Sequence, residues 1–430
     1  MTEISCVNGH VNPVDKKQCA ICGLPLVEYK EELDLLLKRL RGRLLTFEFS
    51  AEKIFVGIGT AGKKIMGGFS SATVQIPRTV YLTFDSPQEK APSRVKTPQG
   101  RAKEYTFKDY PPGGGLYCTV GRRVSMKDEG LEPFLLNAGV SQVKEGQNII
   151  IVAAMGGGTG SGAGPVIVSR CREINPEAHT FAIAITPAKA EANHNHFNAY
   201  YGISSLLNFE GQLNVDVIVV LNYDELQQVT GVGMQGEELK LDGLVIALMQ
   251  MLGQDIGHSG ASRVARLSEG LGVQAYVPCL GVGRSMEIFG SLTNILESAY
   301  LLPMAPVEKD NILVAYLLIR IPDRLSDVLT DTVINERFDS WAKAKFPNLK
   351  ASLCLITRLQ ERTDRVSVCV LLGGDSLDNT LQNTKKGYQE FLTYLNKSGQ
   401  MEKVGLYDDT IETLTASMDN YNNNLQRLRS

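Results

Sequence analysis

From Lys53 onward, short runs rich in Val and Ile alternate with longer mixed stretches: KIFVGIG, TVYLTF, NIIIVAAM, HTFAIAIT and VDVIVVLN. Each run has strand length, and the spacers are long enough for helices, so the pattern predicts a parallel sheet covered on both faces. Residues 236–256 include ELKLDGLVIALMQML, which is apolar around nearly its whole circumference and therefore predicts a buried central helix. A second set of runs follows, VQAYVPCLGVG, NILVAYLLIRI, KASLCLITRL and RVSVCVLLGG, with SDVLTDTVINERFDSWAKAKF as a helix between two of them. That predicts a second, smaller α/β domain. Two amphipathic segments flank these blocks. Leu33, Leu36, Leu37, Leu40 and Leu44 recur at helical spacing before the first strand. Ile411, Leu414, Met418, Tyr421, Leu425 and Leu428 form a heptad-like seam at the end, preceded by the capping residues Asp408 and Asp409. The seam is expected to pack back on the body, with self-association or a partner helix as the other outcome. The expected divisions are 1–27, a helical linker over 28–50, a first α/β domain over 51–235, the central helix over 236–256, the second domain over 257–375 and a helical tail over 376–430.

Composition narrows the class. The 430 residues are 43% hydrophobic and 21% charged, with 44 Lys+Arg against 47 Asp+Glu, which is ordinary for globular domains. A net charge of −3 argues against a chain held on nucleic acid by bulk positive charge. No apolar run reaches the roughly 18 residues that a membrane helix needs, and no basic-then-apolar leader opens the chain, so a cytoplasmic location is expected. Eight cysteines are too few for a disulfide scaffold.

Three of those cysteines crowd the first 22 residues, CVNGHVNPVDKKQCAICG. Cys6-x3-His10 and Cys19-x2-Cys22 are two close pairs of zinc-ligand types separated by a short polar loop, the spacing of a tetrahedral structural Zn2+ site. The segment has too few apolar residues for a core of its own, so metal binding would supply its folding free energy. It resembles the small zinc ribbons, over residues 6 to 23. All four positions are filled by protein, which fits a structural rather than a catalytic metal. His194 and His196 lack a nearby carboxylate or cysteine pair and are expected in a solvated loop.

Glycine turns supply the candidate chemistry. After a strand, a residue without Cβ lets backbone N–H groups face an anion, and a following helix N-terminus adds a favourable field. The first turn is Gly57-Ile58-Gly59-Thr60-Ala61-Gly62-Lys63-Lys64. It reads as GxGxxG, with Asp85 ending the next strand, or as GxxxxGK with Lys64 where Mg2+ binding needs Ser or Thr. The second follows NIIIVAAM directly: Gly156-Gly157-Gly158-Thr159-Gly160-Ser161-Gly162, five glycines in seven residues with two hydroxyl donors. A third cluster, Pro111-Pro112-Gly113-Gly114-Gly115, lies between them. Three such turns on one sheet can converge on a triphosphate.

GGGTGSG resembles the signature loop of the tubulin/FtsZ superfamily of GTPases, and the order of parts agrees over about residues 53 to 375. The resemblance implies a Rossmann-type parallel-sheet GTPase domain that binds GTP or GDP with Mg2+. It implies Gly59, Gly62 and Lys63 near the α- and β-phosphates, Asp85 and Ser86 flanking the phosphates, and Gly114 and Gly115 at the γ-phosphate. Gly157, Gly158, Thr159, Gly160, Ser161 and Gly162 would wrap the β- and γ-phosphates, Glu191 would approach the ribose, and Asn222 and Asp242 would contact guanine. Asn222 is also a natural helix cap, and Asp242 a natural first-turn residue.

The same resemblance implies head-to-tail filaments in which acidic residues of one copy complete the hydrolytic site of the next. Here that stretch reads GQDIGHSGASRVARLSEGL and lacks the expected acidic pattern, leaving Asp255 and Glu269 as candidate catalytic acids among Arg263 and Arg266. The expectation is a filament-forming GTP-binding protein with slow or lost hydrolysis. The alternatives are a non-polymerising guanine-nucleotide-sensing scaffold, with partners at the ribbon or the tail, and an NAD-dependent enzyme using GIGTAG and Asp85.

Overall fold

The computed structural model describes residues 3–5, 11–13, 18–21, 51–72, 78–87, 102–110, 116–141, 146–229, 231, 239–255, 257–361, 363–401, 404–406 and 408–429. Cys6, His10, Cys22, the 28–45 helix, Gly114 and Gly115 lie outside the described residues. The chain divides into two units, Met1–Ser50 and Ala51–Ser430.

In the first unit, β1 (Glu3–Ser5) and β2 (Val11–Pro13) pair antiparallel, with Ile4 opposite Asn12. Asn12 is buried; its Oδ1 accepts the Ala20 N–H at 2.9 Å and its Nδ2 donates to the Cys19 sulfur at 3.4 Å. The Ile21 N–H also points at that sulfur, 3.4 Å away.

The second unit is built on a ten-stranded sheet. In chain order it runs β3 (Lys53–Ile58), α1 (Gly59–Ala72), β4 (Thr79–Asp85), β5 (Ala102–Thr106), α2 (Cys118–Lys127), α3 (Leu131–Ala138), β6 (Asn148–Ala154), α4 (Gly158–Ile174), β7 (His179–Thr186) and α5 (Asn193–Leu207). A small hairpin, β8 (Asn208–Phe209) and β9 (Gln212–Leu213), leads to β10 (Val217–Asn222) and the single turn α6 (Tyr223–Leu226). The central helix α7 (Leu241–Met249) continues as a π-helical turn over Gln250–Asp255, and α8 (Gly257–Leu271) follows. Then come β11 (Ala275–Ser285), α9 (Met286–Phe289), α10 (Leu292–Tyr300), β12 (Val314–Pro322), α11 (Asp331–Lys345), β13 (Ala351–Leu359), β14 (Arg365–Gly373), α12 (Leu377–Thr380), α13 (Gln382–Ser398) and α14 (Asp408–Arg429).

Sheet order is β13-β12-β14-β11-β10-β7-β6-β3-β4-β5. Every pair from β5 across to β11 is parallel, which places the carboxyl ends of β4, β3, β6, β7 and β10 along one edge. β14 is antiparallel to both β11 and β12. The central strands are buried along their length, as their unbroken apolar runs require, whereas β5 (AKEYT) is a largely exposed polar edge strand with no apolar signature.

Two cores share this sheet. One fills both faces of the parallel half around Phe55, Ile150, Phe181 and Leu248. The other lies between β11, β12 and β14 and the helices α10 and α11, around Ile295, Phe338, Trp341 and Val368. The two halves join through β10 and β11, which pair at Ile218 with Ala275 and Val219 with Tyr276. The C-terminal helix α14 packs back on the body: Met418, Tyr421 and Leu425 are buried, the Tyr421 hydroxyl accepts the Ala275 N–H at 3.1 Å, and Arg429 donates to the Gly374 carbonyl. Among the described residues, no helix is long and apolar enough to cross a membrane.

Candidate functional site

Parallel strands deliver their carboxyl ends to one edge, and the two described glycine turns meet there. Gly59, at φ +72°, turns the chain from β3 into α1, and a Cβ on it would stand 3.5 Å from the Gly160 backbone nitrogen. Only glycine holds this left-handed conformation without strain while its backbone touches the second turn. Side chains stitch the same edge. Thr60 donates to the Asp85 carboxylate at 3.2 Å, the Ser86 N–H donates to Asp85 at 2.9 Å, and the Thr159 hydroxyl bonds the Ser86 hydroxyl at 3.3 Å. The ends of β3, β4 and β6 are thus joined in one hydrogen-bonded series.

The second turn opens α4, a helix of 17 residues whose N-cap is Gly157, without a side-chain cap. Its first amides therefore stay available, and aligned peptide dipoles favour an anion at that end. A Cβ added at Gly157 would meet nothing within 4 Å, so this residue faces open space. Beside it α4 is packed against α2 at backbone distance, because a Cβ on Gly162 would stand 2.1 Å from the Cys118 carbonyl oxygen. Ser161 donates to the Gly157 carbonyl within the turn, and Thr159 and Ser161 are both buried.

The charged residues are engaged with one another. Lys63 pairs with Glu104 of β5 at 2.8 Å, and Lys64 pairs with Asp242 of α7 at 2.7 Å. That second carboxylate, through its hydrogen bond and its charge, raises the Lys64 pKa. Both pairs are substantially exposed, and such pairs contribute only about 0–1 kcal/mol, so neither lysine is held tightly by its carboxylate.

Farther along the edge, Asn222 caps α6: its Oδ1 accepts the Asp224 and Glu225 N–H groups at 3.0 and 3.3 Å, and its Nδ2 donates to Thr186 at 3.3 Å. Glu191 accepts the Ala188 N–H at 2.9 Å and the Asn195 amide at 2.8 Å, and its Oε2 lies 3.6 Å from where a Cβ on Gly156 would be. It therefore borders the second turn.

Tyr110 is a member that sequence reasoning missed, with nothing but its place before Pro111 to mark it. Its hydroxyl is buried, with no hydrogen-bond partner among the described residues. Burial pushes its pKa up to about 12; the Thr159 hydroxyl beside it pulls the other way, and the Asp85 carboxylate adds to the rise. Thr60 was missed as an individual, although a hydroxyl inside a glycine turn could have marked it.

The candidate acids are elsewhere. Asn148, the first residue of β6, donates to the Gly257 carbonyl at 3.1 Å, so the end of the central helix sits at the opposite sheet edge. Asp255 closes the π-helical turn two residues before Gly257, and Glu269 is exposed in the last turn of α8. The length of β6, about 20 Å at roughly 3.3 Å per residue, separates that edge from the glycine turns. His194 and His196 are not in a loop but on α5. His196 is buried and His194 stacks edge-on to Tyr117, because this amphipathic segment has α13 to pack against. Among the described residues, no cluster of His, Cys, Asp and Glu could hold a metal ion.

Residues 136–231 match the family model described as Tubulin/FtsZ family, GTPase domain. The cell division protein FtsZ 1 of Thermococcus kodakarensis is 25% identical over 206 residues, covering 48% of this chain and 49% of that one. The chain thus matches about half the length of that relative. Among solved structures, the CetZ1 GDP-bound monomer from Haloferax volcanii aligns with a TM-score of 0.59 at 17% identity, over 79% of this chain and 99% of that one. The CetZ2 GTPγS-bound protofilament from the same organism aligns at 0.58 with 16% identity, over 80% and 99%. The fold is therefore the FtsZ/CetZ tubulin-like fold.

Proposed function

We propose that this chain is a guanine-nucleotide-binding protein of the tubulin/FtsZ superfamily that joins head to tail with further copies and hydrolyses GTP slowly at the contact. The observation that carries this reading is the meeting of Gly59 with Gly160 and the Thr60–Asp85–Ser86–Thr159 series, which together make an amide-lined cradle at one sheet edge. A triphosphate suits it: Gly157 opens to solvent at an uncapped helix N-terminus, with Gly158 through Gly162 behind it. Mg2+ would bind with the phosphates, where Asp85, Thr60, Ser86 and Thr159 are all oxygen donors of the hard type. Guanine would lie toward Asn222 and Asp242, with Tyr223 partly exposed beside them. Glu191 would border the ribose.

Head-to-tail contact is supported by the separation of the two sheet edges. The backbone at the end of the central helix lies at the sheet edge opposite the glycine turns, and stacking a second copy would bring one edge to the other. Arg263 and Arg266 put positive charge on α8, the helix that follows Asp255 and carries Glu269, and this supports slow turnover. Nucleotide extraction and calorimetry test the binding: retention of GTP or GDP in preference to ATP and NAD is expected, and preference for NAD would overturn it. Light scattering tests assembly, since a chain that binds GTP without a rise in large species is the non-polymerising scaffold.

The first unit would bind one structural Zn2+ through Cys6, His10, Cys19 and Cys22. The support is at Cys19, whose buried sulfur receives N–H groups from both Asn12 and Ile21, the donors that a metal-bound thiolate attracts. One zinc per chain by elemental analysis is expected. Cys19→Ser should lower that content and leave GTP affinity unchanged, and a zinc-free wild-type protein would remove the metal from the account.

A further inference from the structure

Asn198 lies on α5, fully buried, and belongs to neither glycine turn. Its side chain nevertheless joins the start of α2 to the start of the second turn, where α2 and α4 pack at backbone distance. The Oδ1 accepts the Cys118 N–H at 2.9 Å, where α2 begins. The Nδ2 donates to the Leu116 carbonyl at 2.6 Å and to the Gly156 carbonyl at 2.9 Å. One amide thus fixes Leu116 and Cys118, at the start of α2, to Gly156, which opens the 156–162 turn. A side-chain amide has one oxygen and two hydrogens to offer, and both ends are used here.

We propose that Asn198 is the positioning residue of the phosphate cradle, setting the spacing between the start of α2 and the start of α4. The assignment rests on the nucleotide-binding reading above. Backbone amides hold an oxyanion only when they point at it together, and errors of a few tenths of an ångström in several at once are felt as lost affinity. Loops cannot supply that rigidity alone. α5 can, because it is buried along nearly its whole length between α4 and α13. Removing the amide leaves the Cys118 N–H and two carbonyls to find other partners, and the cheapest relief is to let the starts of α2 and α4 drift apart.

The ratio of GTP to GMP affinity isolates this role, because GMP keeps the guanosine and loses the two outer phosphates. We expect Asn198→Ala to weaken GTP at least tenfold while GMP changes less than threefold, so that the ratio collapses. Asn198→Asp keeps the acceptor for Cys118 and cannot donate to the two carbonyls, and it should behave in the same way. Val368→Ala, in the second core, controls for stability: it should lower Tm and leave the ratio as in the wild type. If wild-type protein binds no guanine nucleotide, the functional reading itself fails. If it binds and Asn198→Ala keeps the wild-type ratio, or loses GTP and GMP equally as a destabilised fold would, the positioning role is wrong.

Discussion

Gly157 is the residue at which binding and folding separate. Its φ of −88° and ψ of 150° are ordinary for any amino acid, and a Cβ there meets nothing. Gly157→Val should therefore leave the unfolding midpoint within error, a change of under about 0.5 kcal/mol. Its branched side chain would occupy the space the phosphates need, so GTP affinity should fall at least tenfold by calorimetry. Equal affinity would show that the phosphates lie elsewhere. The histidines make a second prediction at this scale. Burial holds the His196 and His179 imidazoles below their ordinary pKa, more than the nearby Glu191 and Asp216 carboxylates respectively restore. Below about pH 6.5 the unfolded chain takes up protons that the folded one resists, so stability falls as pH drops. Urea midpoints at pH 7.5 and 5.5 should show that loss, and His196→Asn should shrink it. Identical pH dependence in the variant would place the proton uptake on other groups.

At the scale of elements, what could be read in advance was what depends on neighbours in sequence. Uninterrupted apolar runs marked the buried parallel strands, and seven residues with five glycines marked a turn where backbone must approach something closely. The edge strand β5 gave no such sign, since its residues face solvent and only pairing with β4 makes it a strand. The Lys64–Asp242 pair and the amide of Asn198 were equally invisible, because each joins segments far apart along the chain. Periodicity also left open what the terminal seam packs against, and the fold supplies it. Leu425 of α14 is fully buried against the body, so Leu425→Ala should destabilise the fold by about 2–5 kcal/mol in denaturant melts. A neutral result would mean that α14 stands away from the body in solution.

For the whole molecule, the sheet carries the glycine turns on one edge and the end of the central helix on the other, and on the proposed function this polarity predicts how hydrolysis depends on concentration. A site completed within one chain has a turnover per chain that does not change on dilution. A site completed by the next copy is formed only at contacts, so turnover per chain should rise with total protein and reach a plateau once most chains are joined. Mixing variants sharpens the test. A Gly157→Val chain lacks a working cradle but still offers Asp255, while an Asp255→Ala chain has the reverse defect. Where Asp255 supplies the acid, each variant alone is inactive. In an equal mixture about a quarter of the contacts place an intact cradle against an intact Asp255, so activity should return to roughly that fraction of wild type. Activity that is independent of dilution, with no recovery on mixing, would overturn the proposal that a second copy completes the site.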